Sequence, residues 1–257
     1  MKISFRSIFC AVLALALGPV RLAQSQSAKP TVVLVHGAFA DGASWDKVIP
    51  LLEAKGHKVV AVHLPLSSLE DDVAVTRRAI AAQNGPVVLV GHSWGGMVIS
   101  IAGTDAKVTS LVYVSAFMPS EGESASDLLK PYAPSPGTAH PIADAAGFLT
   151  LSRADIQNYF APDLPKSESD LVAVIQAPIR GANFAEPATG AAWKNKPSWL
   201  IAAAKDQMIN PELYPVEAKR AKAHLVTLDS SHASPLSHPV DVAKVIEEAC
   251  QAISDNL

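Results

Sequence analysis

The chain has 257 residues, 49% hydrophobic and only 18% charged, with two cysteines and a formal net charge of −3. The charged share lies below the roughly 25% usual in soluble domains, which excludes a disordered polar chain, because such chains fail to bury a core. The acidic balance excludes the basic face that a nucleic-acid partner requires, and two cysteines are too few for a disulfide framework or a cysteine-based zinc site.

Residues 1–27 read as an export signal. Lys2 and Arg6 precede an unbroken apolar run of ten residues, Ile8–Leu17, which Gly18-Pro19 ends. Small residues follow at Ala23, Ser25 and Ser27, where a peptidase would cut. Such a run cannot span a hydrocarbon core of roughly 30 Å, which takes about 20 residues. The mature chain is therefore expected to be exported to the periplasm or the medium and to have no membrane partner. Removal of the segment leaves 18 Lys and Arg against 24 Asp and Glu, and Cys250 as the single cysteine.

The remainder alternates short apolar runs with helical stretches, the pattern of an α/β fold with a mostly parallel sheet. Strands are predicted at Thr31–Val35, Lys58–Val62, Val87–Val90, Ser110–Val114, Trp199–Ala203 and Leu225–Leu228. Helices are predicted at Ser44–Lys55, stopped by Gly56 in the C′ position, and at Leu69–Ala82, Trp94–Ala102 and Pro239–Ile253. The stretch 119–197 holds five early prolines, at 119, 131, 134, 136 and 141, and helical pieces near 153–160 and 167–175. Long loops inside compact domains are functional or absent, so 119–197 reads as a helical cap inserted into a core of residues 28–118 and 198–257.

The chemical signal is Gly91-His92-Ser93-Trp94-Gly95, a G-x-S-x-G motif directly after a predicted strand and before a helix. The sharp turn between them exposes the Ser93 hydroxyl at the strand end, beside the positive end of the helix. A serine hydroxyl needs an oriented base, and in sites of this type acid and histidine follow in that order. Asp206 follows the strand Trp199–Ala203, and His232 follows Leu225–Leu228. Asp229 and His238 are their rivals. An oxyanion needs two N–H donors, each worth about 3 kcal/mol of barrier. The expected pair is the backbone N–H of Trp94 and that of Ala38, in the loop after the first strand. His36 reads as a brace for that loop and Trp45 as packing. Phe39, Phe117 and Met118 are the expected substrate-binding residues. This chemistry calls for no metal and no organic cofactor.

With these motifs in place, the chain resembles the α/β-hydrolase superfamily across almost all of its mature length. Val33-Leu34-Val35-His36-Gly37-Ala38, Ser44-Trp45 and the stretch Leu51 to Val59 resemble the branch of plant methyl-ester esterases and hydroxynitrile lyases, with exported or cytosolic bacterial hydrolases as the nearest likeness. The resemblance implies a nucleophile–acid–base triad of Ser93, Asp206 and His232. The lyases of that branch carry Thr where Gly37 stands and Lys where Ala233 stands, so the resemblance favours the esterases. The superfamily's dehalogenases and epoxide hydrolases use Asp as nucleophile, which Ser93 excludes. The expected activity is hydrolysis of a small carboxylic ester. A lactone, amide or peracid-type acyl substrate, and a hydrolase-like binding protein without turnover, remain the alternatives.

Overall fold

A computed structural model of the protein describes residues 29–254; the export signal expected at 1–27 lies outside them. The first half alternates strand and helix: β1 (Thr31–Val35), α1 (Ile49–Ala54), β2 (Val59–Val62), α2 (Leu69–Ala81), β3 (Val87–His92), α3 (Gly95–Ala102) and β4 (Val108–Val114). Residues 119–197 then contribute α4 (Ala125–Leu129), β5 (Ile142–Ala143), β6 (Phe148–Thr150), α5 (Arg153–Asp155), α6 (Lys166–Ile175) and β7 (Ile179–Arg180). The chain returns through β8 (Ser198–Ala203), α7 (Leu213–Ala221), β9 (His224–Leu228), α8 (Ser234–Ser237) and α9 (Pro239–Ser254).

Six strands form one parallel sheet in the order β2-β1-β3-β4-β8-β9. The chain starts at β1, steps outward to β2, then returns to the other side of β1 as β3. That reversal is a topological switch point, and crevices open at the carboxyl ends of strands there. Alternation along β1 divides the core between the two faces. Val33 and Val35 pack beneath α2, α3 and α7, while Val32 and Leu34 pack with Trp45 and α9. Both faces are dry, which is why β1, β3 and β8 read as unbroken apolar runs. The edge strand β9 is partly exposed, with Leu225 at the surface.

Three local expectations need correction. The helix predicted at 44–55 is split into a 3-10 turn, Gly42–Trp45, and α1. The Asp41 carboxylate accepts the Ala43 N–H at 2.9 Å and starts the tight turn, and Pro50 fits only the first turn of the helix that follows. Gly56 does stop α1, at φ +81°. Helix α7 was not predicted. Finally, 119–197 is not simply helical, because β5, β6 and β7 form a small antiparallel sheet. Strands of two or three residues are too short to show a period of two in sequence.

Candidate active site

Ser93 sits in the turn between β3 and α3 with φ +53°, a left-handed conformation that costs a non-glycine residue energy. The surroundings hold it there. Its N–H donates to the Val114 carbonyl at 3.1 Å, and its own carbonyl accepts from Gly96 at 2.9 Å. Small neighbours make the turn possible: a Cβ on Gly95 would lie 2.6 Å from the Val35 carbonyl oxygen, and one on Gly96 would lie 2.1 Å from that of Phe117.

Asp206 lies beyond β8 and is saturated with donors. Oδ1 accepts the N–H groups of Met208 at 2.7 Å and Ile209 at 2.9 Å. Oδ2 accepts from His232 Nδ1 at 2.7 Å and from the Tyr214 hydroxyl at 2.5 Å. A carboxylate only accepts, so His232 Nδ1 is the donor in this pair and the ring is oriented through that nitrogen. Both residues are buried. The rival acid, Asp229, is 77% exposed in its side chain and pairs with Lys205 at 2.7 Å. The rival histidine, His238, bonds to the Ser237 hydroxyl through Nδ1.

Two further histidines shape the floor. His36 Nδ1 donates to the Gly37 carbonyl at 2.9 Å, and its Nε2 accepts the Leu64 N–H at 2.9 Å. Burial pushes the ring down to about 4, so it stays neutral as a brace for the loop that presents Ala38. His92 Nε2 donates to the His232 carbonyl at 2.9 Å. Burial, reinforced by the neighbouring His232 ring, pushes His92 down to about 3.

Ser93 and His232 open into one cavity of about 190 Å³, walled by Ala38, Phe39, Phe117, Met208 and Ile209. Among the described residues the backbone N–H groups of Ala38 and Trp94 have no hydrogen-bond partner. Phe39 and Phe117 stand on the cavity wall. Met118 does not: it is wholly buried in the core and off the cavity wall. Its N–H donates instead to Glu217 Oε1 at 2.9 Å. Trp45 is wholly buried, as packing requires.

Several supporting groups escaped the sequence reading. Tyr214 grips Asp206 from α7. Asp72 Oδ2 accepts the Trp94 indole N–H at 2.8 Å while Oδ1 accepts the Leu66 N–H at 2.8 Å, and burial raises its carboxyl to about 6. The available signal was Asp72 itself, an acid on the apolar stripe of α2 beside Val73 and Thr76. Among the described residues no cluster of His, Cys, Asp or Glu is arranged to hold a metal ion, and no helix is long and apolar enough to cross a membrane.

A strand-end serine, a buried Asp–His pair and a cavity at the switch point of a parallel sheet define a hydrolase-type α/β protein. The chain belongs to the alpha/beta hydrolase family, whose model matches residues 32–245. It is 29% identical to probable hydrolase R7 of Phoma sp. over 244 residues, 86% of this chain and 98% of that one. It is 27% identical to the pyrethroid hydrolase of Sphingobium wenxiniae over 254 residues, 86% of this chain and 88% of the relative. A crystal structure of the pyrethroid hydrolase PytH superposes with a TM-score of 0.76 at 25% identity, covering 88% of this chain and 99% of the other. The plant branch is matched over a shorter stretch: methylesterase 2 and the alpha-hydroxynitrile lyase of Arabidopsis thaliana are 36% and 35% identical over 123 and 120 residues.

Proposed function

We propose that the protein is a serine carboxylic-ester hydrolase. The observation that carries this reading is the shared cavity of Ser93 and His232, with His232 held by the saturated carboxylate of Asp206. Ser93 Oγ attacks the ester carbonyl, and His232 Nε2 takes its proton. Asp206 fixes the tautomer and stabilises the imidazolium that forms. The unpartnered N–H groups of Ala38 and Trp94 receive the oxyanion. The alcohol leaves with the proton from His232, and an acyl-enzyme remains. Water, deprotonated by His232, then releases the acid.

An ester is favoured over a peptide by the small cavity, whose wall is mainly apolar. The names of relatives, a pyrethroid hydrolase and methylesterases, support the same bond type. Gly37 and Ala233 stand where the lyases of the branch carry Thr and Lys. The reading includes export of the chain, on the pattern of residues 1–27. The test is hydrolysis of short-chain p-nitrophenyl esters by the mature wild type and by Ser93→Ala. Loss of turnover in the variant is expected; equal activity in both would refute the assignment.

A further inference from the structure

The loop that carries His232 is gripped from the segment 119–197. α5 runs into a π-helical turn, Ile156–Phe160, closed by a bond from the Ala161 N–H to the Ile156 carbonyl at 2.8 Å. Single π turns are rare and concentrate at functional sites. This one sets the Phe160 ring edge-on to the His232 ring, with centroids 5.2 Å apart. The chain then passes through Ala161-Pro162-Asp163-Leu164-Pro165. Phe160, Ala161 and Leu164 are buried, and two prolines stiffen the stretch, so the Asp163 backbone is fixed although its residue is exposed. Asp163 Oδ2 accepts the Ser231 N–H at 2.8 Å, and Oδ1 accepts the Ser231 hydroxyl at 2.5 Å. Ser231 precedes His232 and is buried.

We propose that Asp163 is a positioning residue for the reaction: its two-pronged grip on Ser231 holds the His232 ring at the angle that general-base catalysis requires. The segment 119–197 thereby braces the catalytic base as well as covering the cavity. The proposal rests on the reading of His232 as the base. Loss of the grip frees the loop to shift by a fraction of an ångström, and misplacement of about 1 Å costs up to a hundred-fold in rate. The effect falls on kcat, because Asp163 does not line the cavity that binds substrate.

The test compares Asp163→Ala, Asp163→Asn and Ser231→Ala in the mature protein, with p-nitrophenyl butyrate and with active sites counted by a fluorophosphonate. Asp163→Ala is expected to lose about ten- to a hundred-fold in kcat per titrated site, with KM within about two-fold of wild type. Asp163→Asn is expected to rescue most of the rate. Its carbonyl accepts the Ser231 N–H, and the serine hydroxyl turns to accept from the amide. Ser231→Ala keeps the backbone bond and should fall between them. The downfield proton NMR signal of His232 Nδ1–H should broaden in Asp163→Ala and persist in Asp163→Asn. A per-site kcat for Asp163→Ala within about two-fold of wild type overturns the proposal, as does a loss confined to KM. Asp163→Asn as impaired as Asp163→Ala overturns it too, since charge rather than grip would then matter. Turnover undiminished in Ser93→Ala would instead overturn the esterase reading beneath it.

Discussion

Replacing Glu217 by Gln should make the protein more stable in alkali and change it little in acid. Glu217 lies on the buried face of α7, 1% exposed. Oε1 accepts the Met118 N–H, Oε2 has no partner among the described residues, and Arg220 approaches only to 4.0 Å. Burial pushes this carboxyl from its ordinary 4.5 up to about 8. An acid whose pKa is raised on folding favours the native state fully below 4.5, and that contribution is lost as the pH climbs through about 8. The raised value corresponds to roughly 5 kcal/mol against the ionised native state, an upper figure, since relaxation and water entry recover part of it. Gln keeps the acceptor for Met118 and cannot ionise. Its unpaired amide costs about 1–3 kcal/mol at every pH, close to what the unpaired hydroxyl of the neutral acid costs already. Urea unfolding of wild type and Glu217→Gln at pH 5, 7 and 9 measures the difference directly. The variant should gain about 2–5 kcal/mol over wild type between the lowest and highest pH, with m unchanged. A stability difference independent of pH would show that ionisation of Glu217 does not destabilise the fold.

The acid side has the opposite sign. His36 is pushed down to about 4 and His92 to about 3, so both bind protons more readily unfolded. Stability should be present above 6.5 and fall as the pH drops toward 4, and His36→Gln should flatten that limb in the same urea assay. Tyr214→Phe removes one charge-assisted bond to Asp206 and leaves three. It should cost about 1–3 kcal/mol in stability and reduce kcat/KM about ten-fold, checked by unfolding and steady-state kinetics. Asp206→Asn should lower kcat by about 10⁴, as loss of the correct tautomer does in other serine triads, while Asp229→Asn should leave kcat unchanged. Parallel turnover measurements on the two variants separate the acid from its rival.

What was legible in the sequence is what short-range pattern encodes. Unbroken apolar, valine-rich runs such as Val32–Val35 and Val87–Val90 mark strands buried on both faces. The G-x-S-x-G turn, the first acid past β8 and the first histidine past β9 follow from where strand ends lie in a parallel sheet. The hidden part consists of contacts between distant residues. Asp163 meets Ser231 across 68 positions, and Asp72 meets Trp94 across 22, with no local pattern to announce either pairing. Helix α7 was obscured by Pro211 and Pro215, although Pro215 sits in the first turn, where its missing N–H costs nothing. Met118 is expected beside the substrate and lies instead in the core, because its apolar side chain reads the same in sequence at either place.

The proposed reaction requires that Ser93 form a covalent acyl intermediate. Its most direct test is peptide mass spectrometry of the mature protein, acid-quenched during turnover of p-nitrophenyl butyrate. A butyryl group is expected on Ser93, formed in step with the nitrophenol burst and absent from Ser93→Ala. Steady turnover with no acyl group on Ser93, or an acyl group on another residue, would contradict it.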